Sequence, residues 1–220
     1  MIMFDGNINL KNLYRYCRLL IVLAMCCFAT AAHSASKTVL VLGDSLSAEY
    51  GIARGNGWVA LLEQRLQHEK LNITVVNASI SGETSSGGKT RLSTLLKKHQ
   101  PQILIIELGA NDALRGLALK ASDTNFRDMI SMAKVANAKV LLLGMQIPPN
   151  YGREYTERFS SMYGQIAKDT QTALVPFFLA GVAEKQDLFQ ADRLHPLASA
   201  HPVILDNVWP QLQILIKKLK

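Results

Sequence analysis

Five short apolar runs, separated by longer segments of helical character, restrict the fold of this chain more than any other feature of the sequence. The runs are four to six residues long and occupy residues 38–42, 73–76, 103–108, 140–145 and 173–178. Short, mostly apolar runs of this length are typical of parallel strands that are buried on both faces. Because parallel strands are joined through crossover helices, we predict one three-layer α/β/α domain built around a five-stranded parallel sheet.

The segments between the runs carry apolar residues at helical spacing. Helices are predicted at residues 84–99, 126–138 and 154–172, and around residues 58–66 and 208–219. No internal repeat, low-complexity tract or linker divides residues 36–220, so we expect them to form a single domain.

The first thirty-odd residues have the pattern of a secretory signal peptide rather than of a folded domain. Lys11, Arg15 and Arg18 precede an apolar run at residues 19–28, and residues 29–31 have the A-x-A form of a cleavage site. The apolar run is too short to span a bilayer comfortably, although an uncleaved anchor is the alternative.

Removal of a signal peptide at residues 1–35 would leave residues 36–220 as the mature protein, either periplasmic or secreted and without a stable membrane anchor. All three cysteines lie in the removed segment, so the mature protein would have no disulfide and would depend on its apolar core. The formal net charge of +7 would fall to +5, because residues 1–31 contain three basic residues and one acidic residue. No basic run interleaved with aromatic residues indicates a nucleic-acid partner, and we expect a monomer.

Polar residues follow three of the apolar runs, and a fourth polar group lies near the C-terminus. The segments are residues 43–45, 81–83, 109–112 and 192–196, which read GDS, SGE, GAND and DRLHP. In an open parallel sheet the loops after the strands converge on one edge, where such folds bind ligands. Together the segments supply a hydroxyl group, a glycine N–H, a side-chain amide and a carboxylate–imidazole pair. Attack of a serine on an acyl carbonyl needs these groups.

Each of these residues has an ordinary structural explanation when it is taken alone. Ser45 and Asn111 could cap helices, Gly82 could serve a turn, and an Asp-x-x-His sequence is common in solvated turns. Their joint occurrence at strand ends, in this order, favours a hydrolase active site.

The four segments, extended to GDSLS, SGET, GAND and DRLHP, resemble the four sequence blocks of the SGNH (GDSL) hydrolases, and the likeness covers residues 37–219. Within that family the chain is similar to the small periplasmic multifunctional esterases, described as thioesterases, lysophospholipases and arylesterases. The resemblance implies a flavodoxin-like fold with sheet order 2-1-3-4-5, no metal and no cofactor. It also implies a serine esterase that hydrolyses small-molecule carboxylic esters or thioesters through an acyl-enzyme. The implied substrates include short to medium acyl esters, aryl esters and lysophospholipids.

The resemblance further implies a role for each site residue. Ser45 would be the nucleophile, His195 its base, and Asp192 the residue that orients the base. The oxyanion donors would be the backbone N–H groups of Ser45 and Gly82 and the side-chain amide of Asn111.

His201 is the other candidate base, because it too is followed by proline. Asp192 lies just upstream of His195, whereas the acid nearest to His201, Asp206, falls near the start of the predicted last helix. An orienting carboxylate is what a catalytic histidine needs, so we expect His195 to be the base.

Two residues depart from the family pattern. Glu49 stands where glycine is usual and Leu197 where a polar residue is usual, and Glu49 could alter the mouth of the pocket. Residues 113–119 and 145–151 match the family's acyl-pocket loops.

Three other functions each have some support in the sequence. Residues 82–90 resemble a phosphate-binding P-loop, but Glu83 occupies the position where that motif needs its first glycine. A non-catalytic lipid- or glycan-binding module could share the fold. A carbohydrate O-deacetylase would keep the chemistry and use Trp58 with tyrosines as a sugar platform.

Overall fold

The structure, a computed structural model, describes residues 36–219. Its five strands form one parallel sheet with the order β2-β1-β3-β4-β5, which confirms the predicted architecture. The strands are Lys37–Gly43 (β1), Ile73–Asn77 (β2), Ile103–Glu107 (β3), Lys139–Leu143 (β4) and Ala173–Val175 (β5). The last strand is shorter than predicted because Pro176, which has no N–H to donate to a neighbouring strand, follows it directly.

Six α-helices cover the sheet within the described residues. They are Trp58–His68 (α1), Ser85–His99 (α2), Ala110–Leu114 (α3), Leu119–Val135 (α4), Arg153–Thr170 (α5) and His201–Lys217 (α6). Within residues 36–219, no helix is both long and apolar enough to cross a membrane.

Two helices begin earlier than the sequence pattern predicts. Helix α4 starts at Leu119 instead of residue 126, because its polar first turn is fixed by Ser122, whose hydroxyl donates to buried Asp112. Helix α6 starts at His201, where Pro202 occupies the first turn, a position in which a missing N–H costs nothing.

The core lies between the sheet and its two helical layers. The central strands β1 and β3 are buried on both faces, as their mostly apolar sequences predict. Helices α1 and α6 pack together, and α2, α4 and α5 pack side by side. This arrangement leaves the carboxyl edge of the sheet open for the loops that follow the strands.

The start of α1 is capped by side chains from distant parts of the chain. Gly57, at the cap position, has no side chain to satisfy the first N–H groups of the helix. His201 Nδ1 accepts the N–H of Trp58 at 3.0 Å, and Glu49 Oε1 accepts the N–H groups of Gly55 and Gly57 at 2.9 and 2.8 Å. Buried His201 therefore joins α6 to the start of α1, and the Glu49 carboxylate binds the residues just before α1.

Burial lowers the pKa of His201, against a smaller opposing effect of the nearby Glu49 carboxylate. The unfolded chain, in which histidine has a pKa of about 6.5, therefore binds a proton more readily than the native protein does. The stabilisation from neutral His201 is complete above the unfolded pKa and is lost as the pH falls.

We predict that His201→Asn makes the free energy of unfolding less sensitive to acid. The asparagine carbonyl can accept the Trp58 N–H without titrating, so the variant should lose less stability than the parent between pH 7.5 and pH 5. Urea denaturation at both pH values measures this, with His68→Asn at an exposed position of α1 as the control. Equal losses in the parent and His201→Asn would contradict the prediction.

Candidate active site

Ser45 lies in a tight turn directly after β1, at the carboxyl edge of the sheet. A Cβ at Gly43 would lie 2.8 Å from Glu107 Oε2 and from the Ser47 side chain, so only glycine fits where the strand ends. Asp44 is buried, and its Oδ1 accepts the N–H of Leu46 at 3.0 Å. The turn is thus fixed on both sides of Ser45.

The structure brings Ser45, His195 and Asp192 together. His195 Nε2 lies 2.9 Å from Ser45 Oγ, and His195 Nδ1 lies 2.7 Å from Asp192 Oδ2. Asp192 Oδ1 also accepts the backbone N–H groups of Leu194 and His195 at 2.9 and 3.1 Å. A hydrogen bond from the Leu194 N–H, and to a smaller extent one from His195, lower the pKa of Asp192 to about 2. Asp192 is therefore a carboxylate at neutral pH.

The loop that carries His195 is closed on itself by backbone hydrogen bonds. The N–H of Gln190 donates to the carbonyl of His195 at 2.8 Å, and the N–H of Leu197 donates to Leu188 at 2.7 Å. Arg193, between Asp192 and His195, adopts a left-handed φ of 58° that turns the chain back. The ring of Tyr50 packs against the His195 ring, with centroids 4.3 Å apart.

The three predicted oxyanion donors lie on neighbouring loops. Within the described residues, the backbone N–H groups of Ser45 and Gly82 donate to no protein acceptor. Gly82 has a left-handed φ of 79°, and Arg115 Nη2 donates to its carbonyl at 2.9 Å. Asn111 Nδ2 lies 3.0 Å from Asp44 Oδ2 and 3.0 Å from the carbonyl oxygen of Glu83, which follows Gly82.

Behind the Ser45 turn is a buried polar network that the sequence analysis missed. Glu107, at the end of β3, is completely buried, and its Oε2 accepts the N–H of Asp44 at 3.2 Å and the hydroxyl of Ser47 at 2.7 Å. Trp58 Nε1 donates to Ser47 Oγ at 3.1 Å. The sequence signal is an acidic residue inside an apolar run, which on sequence grounds indicates a buried strand or the acidic strand that accompanies a P-loop.

The two buried carboxyl groups of this network influence each other. Burial raises the pKa of Glu107 well above its ordinary value, and the nearby Asp44 charge raises it further. Burial also raises the pKa of Asp44, although hydrogen bonds from the Leu46 N–H and from Glu107 partly oppose this effect. Both effects on Glu107 favour its neutral form.

A mostly apolar cavity of about 610 Å³ opens beside Ser45 and His195. Its apolar lining includes Leu46, Leu114, Met145, Ile147, Phe177 and Leu179. Of the two loops expected to form an acyl pocket, residues 145–149 line the cavity, whereas Leu114 is the only lining residue from 113–119. The lining also contains Arg193 and Leu194, which the sequence analysis had not singled out.

Two expectations about individual residues are corrected by the structure. Trp58 is completely buried and cannot offer a sugar platform. The carboxylate of Glu49 caps the start of α1 and does not line the cavity, and Leu197 does not line it either.

Among residues 36–219, no cluster of three or more histidine, cysteine or acidic side chains could hold a metal ion.

The segment that resembled a P-loop is the start of helix α2. Thr84 caps this helix by accepting the N–H of Gly87 at 3.2 Å. Glu83 pairs with Arg91 at 2.6 Å, and its carboxylate occupies the space that a side chain at Gly87 would need. A carboxylate at this position would repel a phosphate group.

Comparison with known proteins gives a consistent result. Residues 41–202 match the model of the GDSL-like lipase/acylhydrolase family. The esterase TesA of Pseudomonas aeruginosa is 51% identical over 184 residues, which cover 84% of this chain and 92% of that protein. The thioesterase 1/protease 1/lysophospholipase L1 of Escherichia coli is 41% identical over 208 residues, covering 94% and 97% of the two chains.

A solved structure supports the same relationship. The psychrotrophic esterase EstA from Pseudoalteromonas, in a crystal structure inhibited by monoethylphosphonate, matches with a TM-score of 0.78 and 43% identity. The match covers 82% of this chain and 99% of that one.

Proposed function

The chain belongs to the GDSL-like lipase/acylhydrolase family and is an esterase, and we propose that it hydrolyses its substrates through an acyl-enzyme formed on Ser45. The observation that carries this proposal is the line of contacts from Ser45 Oγ through the His195 ring to Asp192, at 2.9 and 2.7 Å. This line lies at the edge of an apolar cavity where an acyl group can bind.

In the first half of the proposed reaction, Ser45 Oγ attacks the acyl carbonyl carbon while His195 Nε2 takes the hydroxyl proton. Asp192 is ionised and accepts from Nδ1–H of His195, so it fixes the tautomer in which Nε2 is free to act as the base. It also stabilises the imidazolium that forms. The protonated Nε2 then gives its proton to the leaving alcohol or thiol.

The backbone N–H groups of Ser45 and Gly82 support the developing oxyanion, because neither has another partner within the described residues. Asn111 is the proposed third donor. In the free site both hydrogens of its Nδ2 face acceptors, the Asp44 carboxylate and the neutral Glu83 carbonyl. Hydrogen bonds to a charged acceptor are the stronger ones, so the oxyanion would displace the Glu83 carbonyl.

In the second half, water replaces the alcohol and the same groups act in reverse order. His195 takes a proton from the water, which attacks the acyl carbon of the ester formed on Ser45. Collapse of the second oxyanion returns the proton to Ser45 Oγ and releases the carboxylic acid, so no metal or cofactor is needed for the chemistry.

The cavity supports acyl esters with an apolar chain as substrates. Each methylene that it buries can contribute about 0.8 kcal/mol to binding. We propose that short to medium acyl esters, aryl esters, thioesters and single-chain phospholipids are substrates. The name of the Escherichia coli relative, which includes both thioesterase and lysophospholipase, supports the last two classes. The apolar lining and the burial of Trp58 favour these over a carbohydrate ester.

We propose that the enzyme is exported to the periplasm or beyond. The support is the basic, apolar and small-residue pattern of the predicted signal peptide. Residues 1–35 lie outside the described residues.

Substitutions of the three contacting side chains test the mechanism. Ser45→Ala, His195→Ala and Asp192→Asn should each lower kcat by about 10⁴-fold on p-nitrophenyl butyrate, and Asn111→Ala by about 10²–10³-fold. Steady-state kinetics at pH 8 measures this, and circular dichroism confirms the fold. His201→Asn is the matched control. It should retain turnover, because the hydrogen bond of His201 is to the start of α1 and not to Ser45, His195 or Asp192. Full activity of a folded His195→Ala would contradict the mechanism.

A series of p-nitrophenyl esters from acetate to decanoate tests the acyl cavity. We expect kcat/KM to rise by up to about fourfold for each methylene until the cavity is filled. In Ile147→Trp, which fills the cavity, the ratio of kcat/KM for octanoate to that for acetate should fall at least about tenfold. Val135→Trp, at an exposed position of α4, should leave this ratio unchanged. An unchanged ratio in Ile147→Trp would show that the acyl group binds elsewhere.

Intact-mass measurement tests export. Protein recovered from the periplasm should begin between Ala32 and Ser36. A full-length, membrane-bound species would contradict removal of the signal peptide.

A further inference from the structure

Glu107 and Asp44 form a pair of buried carboxyl groups without a counter-ion. They are 0% and 1% exposed, and no lysine or arginine within residues 36–219 makes an ion pair with either of them. The ring of His195 lowers the pKa of Asp44, whereas the two carboxyl groups and Asp112 raise the pKa of buried Tyr163. Two carboxylates this close and this deeply buried cannot both be ionised at neutral pH.

The hydrogen-bond donors around Glu107 show which of its oxygens carries the proton. Trp58 Nε1–H can only donate, so Ser47 Oγ accepts from it and directs its own hydrogen to Glu107 Oε2. The N–H of Asp44 donates to the same oxygen. Oε2 thus already accepts two hydrogens, and a proton on Glu107 belongs on Oε1.

Glu107 Oε1 is buried, and within the described residues it accepts no hydrogen bond from an N–H or O–H group. Asp44 lies directly against this carboxyl group, because its backbone N–H donates to Glu107 Oε2 at 3.2 Å, and the influence of each carboxyl group on the pKa of the other indicates that the two side chains are neighbours. A proton on Oε1 therefore gives this oxygen a partner, which a buried polar atom needs.

We propose that Glu107 is a neutral acid that donates a hydrogen bond from Oε1 to the Asp44 carboxylate, and that this pair positions the side-chain amide of Asn111 for the reaction. The second half of this inference rests on the proposed role of Asn111 as an oxyanion donor.

The effect on Asn111 follows from the charge of Asp44. A carboxylate only accepts hydrogen bonds, so it selects the orientation in which Asn111 turns Nδ2, at 3.0 Å, toward Asp44. A neutral group in place of Asp44 could donate to the amide oxygen and allow the amide to turn over. Asp44 and Glu107 are thus positioning residues that act through Asn111.

The proton on Glu107 can be observed without turnover. In the parent at pH 8, where exposed carboxyl groups are ionised, infrared spectroscopy should show the carbonyl band of a protonated carboxylic acid. This band should be absent from Glu107→Gln and retained in Glu154→Gln, which removes an exposed carboxylate. It should also be retained in Ser45→Ala, so a failure of the proposed mechanism is distinguishable from a failure of this inference.

Kinetics tests the positioning. Glutamine reproduces the donor and the acceptor of a neutral Glu107, so Glu107→Gln should stay folded and keep kcat within a few-fold of the parent. Asp44→Asn should lower kcat by about tenfold to a hundredfold with little change in KM, because the amide of Asn111 is no longer held in one orientation. Glu107→Leu removes the proposed hydrogen-bond donor to Asp44 without altering Asp44 itself. It should also lower kcat and leave KM unchanged.

Each alternative result contradicts part of the inference. Absence of the acid band from the parent, its persistence in Glu107→Gln, or failure of Glu107→Gln to fold would show that Glu107 is not a neutral donor. An unchanged kcat in folded Asp44→Asn or Glu107→Leu would show that the pair does not position Asn111.

Discussion

In the pairing of β1 with β3, Gly43 lies opposite Glu107, and a side chain at position 43 would collide with Glu107 and Ser47. Because of this close approach, the N–H of Asp44 and the hydroxyl of Ser47 both reach the Glu107 carboxyl group. Ser45 lies between these two anchored residues. The position of the proposed nucleophile therefore depends on the register of two buried strands and on one buried acid.

The same network extends into a helical layer. Ser47 accepts from the ring of Trp58, the first residue of α1, and the N–H of Trp58 donates to His201 at the start of α6. The turn that carries Ser45 is thus connected through hydrogen bonds to two helices that lie behind it. Changes at Trp58 or His201 are expected to alter stability first and activity only through the Ser45 turn.

The sequence was sufficient to predict the parallel sheet, because each strand is a short, mostly apolar run and helical segments separate the runs. The same reasoning selected Ser45 and Asn111, since they occur at those strand ends, whereas His195 was selected by Asp192 three residues before it. It missed Glu107, which has the sequence pattern of a strand residue and becomes informative only when the register with β1 is known. The capping of α1 by His201 was also missed, because that contact joins residues 143 positions apart.

A crystal structure of the enzyme after reaction with an alkyl phosphonate would test the central claim most directly, because the adduct resembles the tetrahedral intermediate. The account predicts phosphorus bonded to Ser45 Oγ. One phosphonyl oxygen should lie about 2.7–3.1 Å from the backbone nitrogens of Ser45 and Gly82 and from Asn111 Nδ2. An adduct on another residue, or an oxygen bound by other donors with Asn111 directed away from it, would contradict the account.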